Sequence, residues 1–192
     1  VIQAMDYLTA QNRFNRGEIG RIDPLYSAAG KDVVVIGGGD TGSDCVGTAR
    51  RQGAKNIVQV EILPRPPEER RVDNPWPYPP RILRTSTSHR EGCRRMWGVE
   101  IREMIAPPGG AVEKVAAVRL DWSDPEVGPR DIPDSLFEIP AGLVIIAAGF
   151  TRTEPGPLLE ELDLELDRRG NIAVNENFAA SRTKVFAAGD CV

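Results

Sequence analysis

The chain has 192 residues, 41% apolar and 27% charged, the make-up of a globular protein with enough material to bury a core. A net charge of −4 argues against a general polyanion-binding surface, so nucleic acid is not an expected partner. No apolar run approaches the about 18 residues that a membrane-spanning helix needs, and no signal peptide stands at the start, so neither a membrane nor export is expected.

Val1 to Gln11 (VIQAMDYLTAQ) has apolar residues at Ile2, Met5 and Leu8, a spacing that predicts a helix burying one face. Asn12 to Gly30 reads as a connector. Lys31 to Asp44 (KDVVVIGGGDTGSD) is the most informative stretch. Val33 to Ile36 is a continuous apolar run, the pattern of a strand buried on both faces of a parallel sheet. Gly37, Gly39 and Gly42 follow with G-x-G-x-x-G spacing, and Ser43 to Gln52 reads as a helix. In a dinucleotide-binding turn one glycine turns the chain, one lets a pyrophosphate approach the backbone, and one lets helix pack on strand. The start of the helix then offers free N–H groups and the positive end of its dipole.

Gly53 sits where a helix C-terminal glycine belongs, and Asn56 to Leu63 reads as the second parallel strand. Glu61, near its end, is placed to accept hydrogen bonds from the ribose hydroxyls of NADH. Arg65, Arg70 and Arg71 follow, and Arg is the natural partner of the 2′-phosphate of NADPH. The two signals conflict, and the choice of nicotinamide stays open. Pro64 to Pro80 (PRPPEERRVDNPWPYPP) is too proline-rich for helix or central strand. It reads either as a lid or docking surface carrying Trp76 and Tyr78, or as a stiff connector whose aromatics cover the sheet edge.

Arg81 to Trp97 is predicted to be helical, with Ser86, Thr87 or Ser88 as a cap. His89, the single histidine, has no carboxylate or cysteine beside it and reads as a surface or capping residue. Val99 to Ala106, Val112 to Trp122 and Ser135 to Ile139 alternate as strands of an antiparallel insertion, with a turn around Pro125 to Pro133. Leu143 to Ala147 resumes a buried parallel strand and ends in Ala148-Gly149-Phe150, small enough at its start for a cofactor to come close. Pro157 to Leu162 reads as a helix, Leu164 to Val174 as a hairpin turning at Arg169-Gly170-Asn171, and Lys184 to Ala188 as a short strand running into Gly189-Asp190. Cys45, Cys93 and Cys191 stand far apart with no C-x-x-C, so a metal site and a redox pair are unsupported, and a reducing cytoplasm fits. The chain opens on Val and stops directly after a motif, the look of a segment cut from something longer.

Three segments, IGGGDTGSD, VIIAAGF and TKVFAAGD, stand in the order seen in flavoprotein reductases with two dinucleotide-binding domains. GGGDTGSDCVGTARRQGA and EILPRPPEERRVDNPWPYPPRILRTSTSHREG narrow the match, and the chain resembles the small (beta) subunit of glutamate synthase over nearly its whole length. The resemblance implies an α/β fold: a three-layer, Rossmann-like parallel sheet with an antiparallel insertion, the nucleotide-binding domain of a two-domain flavoprotein. It divides the chain into a stub helix and linker of the FAD domain (1–30), an NAD(P)H-binding domain (31–150) and a return segment to the FAD domain (151–192). It makes Gly37, Gly38, Gly39 and Gly42 the pyrophosphate turn, with Asp40 and Thr41 facing the nicotinamide nucleotide. Ala148 and Gly149 become the second small-residue crossing, and Gly189 and Asp190 the site of the FAD ribityl chain. NADPH or NADH and FAD are the implied cofactors, with FAD held poorly by this piece alone. The implied partner is the large (alpha) subunit, reached through iron–sulfur clusters. No residue here looks like an acid, base or nucleophile, because the chemistry belongs to the cofactors. Two alternatives remain: the input module of a pyrimidine dehydrogenase-like flavin reductase, and a non-catalytic nucleotide-sensing or docking domain.

Overall fold

A computed structural model describes residues 1–124, 126–149, 152–154 and 156–192, in two compact units, 1–148 and 149–192. Pro125 of the expected turn and Phe150 of the expected crossing lie outside the described residues.

The first unit runs β1 (Ile2–Gln3), α1 (Ala4–Asn15), β2 (Asp32–Ile36), α2 (Asp40–Arg51), β3 (Asn56–Glu61), α3 (Thr87–Arg90), β4 (Arg94–Trp97), β5 (Val99–Ile105), β6 (Lys114–Asp121), β7 (Arg130–Asp131), β8 (Phe137–Pro140) and β9 (Leu143–Ile146). Five of these strands form one parallel sheet in the order β1-β9-β2-β3-β4. Val33, Val34 and Val35 are each at most 1% exposed, so β2 is covered on both faces, as its unbroken apolar run requires. On one face Val33, Val35, Ile57 and Ile145 pack against Cys45, Val46 and Ala49 of α2 and Tyr7 of α1. On the other, Val34, Val60, Met96 and Val144 meet Val99, Val115, Ala117 and Ile139 of a second sheet. That sheet is antiparallel: β6 pairs with β5 on one side and with β8 and β7 on the other. The unit is therefore helices, parallel sheet and antiparallel sheet in three layers, the α/β architecture expected.

Two expected elements of the first unit are different. The predicted helix over Val1 to Gln11 is a short strand followed by a helix. Ile2 pairs with Ile145, Tyr7 is fully buried, and Met5, expected inside, is 51% exposed. The first thirty residues lie in the same compact unit as the glycine turn. The predicted helix over Arg81 to Trp97 is only the single turn α3 and the edge strand β4. Gly92, at φ +112°, ends the turn, and Met96 then points into the core between the sheets as a strand residue.

Helix α2 begins at Asp40, three residues earlier than expected, which places Asp40, Thr41 and Gly42 in its first turn. It ends as its sequence predicts. Gly53 takes φ +85°, its N–H donates to Arg50, and the Ala54 N–H donates to Ala49, the paired closure that glycine permits.

The second unit holds α4 (Pro157–Leu162) and irregular chain. Residues 164–174 make a single bridge between Leu166 and Ile172, not a ladder. The turn is closed by Asp167, whose carboxylate accepts from the Arg169 and Asn171 amides and is held below the usual carboxylate range chiefly by the Asn171 bond. Lys184 to Ala188 is likewise not a strand: Phe186 bridges Ala179 alone, and Lys184 sits at φ +66°.

Candidate nucleotide site

The parallel sheet reverses its strand order at β2: the chain goes from β2 to β3 on one side, and β9 lies on the other. Ligands of open α/β sheets bind outside the carboxyl ends of the strands at such a point. The glycine turn sits there.

Its glycines meet three different surroundings. Gly37 turns the chain at φ +122°, and a side chain there would collide with the Ala147 carbonyl at the end of β9. Gly42 is buried, and a Cβ on it would strike the Gly37 carbonyl and come within 2.9 Å of the Gln59 amide nitrogen. Gly39 is exposed, with nothing within 4 Å of the position a Cβ would take. One glycine serves the turn, one the helix–strand contact, and one leaves an open approach to the backbone.

That approach leads to unpaired donors. Gly39 is the N-cap of α2 and no side chain caps the helix. Among the described residues, the amides of Gly39, Asp40, Thr41 and Gly42 have no acceptor. Free N–H groups at the positive end of a twelve-residue helix suit a diphosphate. The cradle fits the phosphates of a dinucleotide.

Strand β3 pins the peptide between Gly37 and Gly38 from both ends. The Gln59 amide nitrogen donates to the Gly37 carbonyl at 2.9 Å, and the Gly38 N–H donates to Glu61 Oε2 at 2.7 Å. Glu61 Oε1 accepts from the Leu63 N–H at 3.0 Å. Glu61 therefore stands beside the turn, as the sequence predicts, with both oxygens already engaged by backbone. A carboxylate has about four lone-pair sites, so capacity for a hydroxyl remains. Gln59 is the residue that sequence reasoning missed. Its signal was visible: it is the one uncharged polar side chain in the middle of an otherwise apolar strand.

The two arginines differ. Arg65 pairs with Glu68 at 3.0 Å and its guanidinium lies 5.7 Å from the Trp97 ring centre, next to the end of β3. Register pairing sets Trp97 opposite Glu61. Arg70 turns away into its own loop and donates to the carbonyls of Asn74 and Tyr78, at 3.1 Å each. Asn74, 7% exposed, fixes the same loop by donating to the Pro79 carbonyl and accepting from the Arg81 N–H. The loop's aromatics do not cover the sheet edge, since Trp76 is 83% and Tyr78 64% exposed.

Ala147 donates to Ile36 at 2.7 Å, which brings the end of β9 against the turn, and Ala148 follows it, exposed. Gly149, Gly189 and Asp190 belong to the second unit. Gly149 and Gly189 take φ +93° and +87°, and Asp190 is exposed. The three cysteines are free. Cys45 is fully buried, and burial pushes its thiol up to about 12, which removes it as a nucleophile. No helix among the described residues is long and apolar enough to cross a membrane.

Comparison with known proteins bears out the resemblance read from the sequence. The chain is 40% identical over 197 residues to the glutamate synthase [NADPH] small chain of Mycobacterium tuberculosis, covering 99% of this chain and 39% of that one. It is 39% identical over 176 residues to the glutamate synthase [NADH] of Schizosaccharomyces pombe, covering 86% of this chain and 8% of that one. It thus spans about two fifths of the small chain and a small part of the yeast enzyme. Among solved structures, the thioredoxin reductase of T. acidophilum shares the fold at TM-score 0.55 and 21% identity, over 85% of this chain and 45% of that one. The model of the pyridine nucleotide-disulphide oxidoreductases matches residues 1–192. The chain therefore belongs to the pyridine nucleotide-disulphide oxidoreductase family.

Proposed function

We propose that this chain is the NAD(P)H-binding, electron-input part of a glutamate synthase small subunit. The reducing equivalents serve the synthesis of glutamate from glutamine and 2-oxoglutarate on a large-subunit partner, in the cytoplasm. The observation that carries the reading is the glycine turn, at the switch point of the sheet: three glycines with three distinct surroundings, and four amides without an acceptor among the described residues. The named function of the relatives supplies the rest.

When bound, the nicotinamide supplies a hydride and FAD receives it. The chain's own residues bind and orient. The amides of Gly39 to Gly42 hold the pyrophosphate, helped by the α2 dipole. Glu61 accepts from the adenosine ribose, and Arg65, not Arg70, is the cation available to a 2′-phosphate. Ala148 and Gly149 leave room for backbone to approach a cofactor, and Asp190 after Gly189 accepts from the ribityl hydroxyls. A second reading, a non-catalytic docking module, draws on the exposed Trp76 and Tyr78.

Anaerobic mixing of the whole protein with NADPH or NADH, following bleaching of the flavin absorbance, separates the two. Rapid bleaching supports the reductase. Nucleotide binding with no flavin reduction supports the docking module and overturns the proposal.

A further inference from the structure

Gln59 is 2% exposed, and both ends of its amide are used. Its nitrogen donates to the Gly37 carbonyl, and its oxygen lies 2.8 Å from His89 Nε2. His89 is the third residue of α3, where its other ring nitrogen, Nδ1, accepts from the Ser86 backbone N–H at 3.2 Å. Ser86 Oγ in turn accepts from the His89 N–H and touches Ser43 Oγ of α2. The capping box of a one-turn helix thus joins the first turn of α2 to the strand beneath it.

The hydrogen bonds admit only one polarity. A backbone N–H can only donate, so Nδ1 is bare and the ring proton is on Nε2. Nε2 then donates to an amide oxygen, which can only accept. The Gln59 nitrogen is left facing Gly37. The Gly37 carbonyl, which only accepts, and the Nε2 proton, which only donates, fix the sense of the amide together; with an acceptor in place of that proton, the amide would have to face oxygen against oxygen at one end.

We propose that His89 is a positioning residue for the phosphate-binding turn: it fixes the sense of the Gln59 amide, and Gln59 holds the Gly37 carbonyl. The peptide so held is the one whose other end Glu61 grips through Gly38. Its plane sets the direction in which Gly39 and the free amides leave the strand. Burial, and after it the charge of Arg95, lowers the pKa of His89 and keeps the ring neutral, which the tautomer requires. The inference rests on the nucleotide reading above.

The test is calorimetric titration of the whole protein with NADP⁺ and NAD⁺, the forms that cannot reduce flavin. Glutamate is the usual partner in a capping box, so His89→Glu keeps the cap of α3. It offers Gln59 only an acceptor, which draws the amide nitrogen away from Gly37. Affinity is expected to fall about tenfold. His89→Gln, which can both accept from Ser86 and donate to Gln59, recovers most of that loss. In a Gln59→Leu background His89→Glu has no further effect, because the link is gone.

Unchanged affinity in His89→Glu overturns the proposal, as does equal loss in His89→Gln. A loss that persists undiminished with Gln59→Leu marks simple charge repulsion and also overturns it. Nitrogen NMR of the unmutated protein reads the tautomer without any substitution: a proton on Nε2 is expected, and one on Nδ1 refutes the relay. If the unmutated protein binds neither dinucleotide, the nucleotide reading itself falls and takes the relay with it.

Discussion

Gly39→Ala and Gly42→Ala add the same methyl group three residues apart and are expected to do opposite things. At Gly42 the new Cβ meets the Gly37 carbonyl and, at 2.9 Å, the Gln59 nitrogen. The first is backbone held between two strands and cannot move aside, so α2 must shift outward. Overpacking of this kind costs about 1–3 kcal/mol, offset by about 0.5–1 kcal/mol for replacing glycine within a helix. A net loss of about 1–2 kcal/mol is expected. At Gly39 the backbone is at φ −77°, which alanine adopts freely, and the Cβ meets nothing within 4 Å. Loss of a tolerated N-cap and gain from a stiffer unfolded chain nearly cancel, leaving stability within about 0.5 kcal/mol of the original. The methyl stands where a diphosphate would approach, so affinity for NADP⁺ should fall about tenfold or more. Urea denaturation and calorimetry measure the two quantities on each variant. A stable Gly42→Ala, or a Gly39→Ala that binds as well as the original, would refute this division of roles.

Val35→Ala removes two methyl groups from a fully buried position between sheet and helices, and is expected to cost about 2–3 kcal/mol in urea denaturation. Glu61→Gln removes the charge facing a 2′-phosphate and weakens the grip on ribose, so the ratio of NADPH to NADH affinity should rise about threefold or more. Cys45, buried and with its thiol pushed up to about 12, should resist alkylation at mildly alkaline pH until the protein unfolds, which mass spectrometry of trapped peptides reads directly. His89 has its pKa lowered from the ordinary 6.5 by burial and by Arg95. Folding therefore favours the neutral ring, and its contribution is complete above about pH 6.5 and lost as pH falls through the depressed value. Stability profiles of the original and His89→Gln should run parallel above that pH, and the original should lose stability relative to His89→Gln below it.

Much of the fold was legible because two patterns are unambiguous. A run such as Val33 to Ile36 can only be satisfied between two layers, and G-x-G-x-x-G after it has a narrow range of uses. The misreadings came from short elements. Ile2, Met5 and Leu8 have helical spacing, yet Ile2 belongs to an edge strand completed by Ile145, a partner more than 140 residues away that no local period announces. Tyr7, the true anchor of α1, was hidden because its hydroxyl needs Gln52 to be buried. Arg81 to Trp97 carries two strong caps, Ser86 and Gly92, only a few residues apart, and a helix reading had to ignore the second. In the candidate site, the places of the glycines on the turn and of Glu61 at the end of β3 were readable from spacing. The bonds of Arg70 to two loop carbonyls were not, because they depend on how the proline-rich loop folds back on itself. The Gln59–His89 link was out of reach for the same reason: its polarity is fixed by the backbone amide of Ser86, in the segment after the proline-rich loop.

The central claim is that the amides of Gly39 to Gly42 receive the pyrophosphate of a nicotinamide dinucleotide. Backbone amide NMR during titration with NADP⁺ or NAD⁺ observes those four groups directly. The account predicts that they show the largest shifts, saturating together with binding. A dinucleotide that binds while these amides stay unmoved, or that does not bind at all, would contradict it.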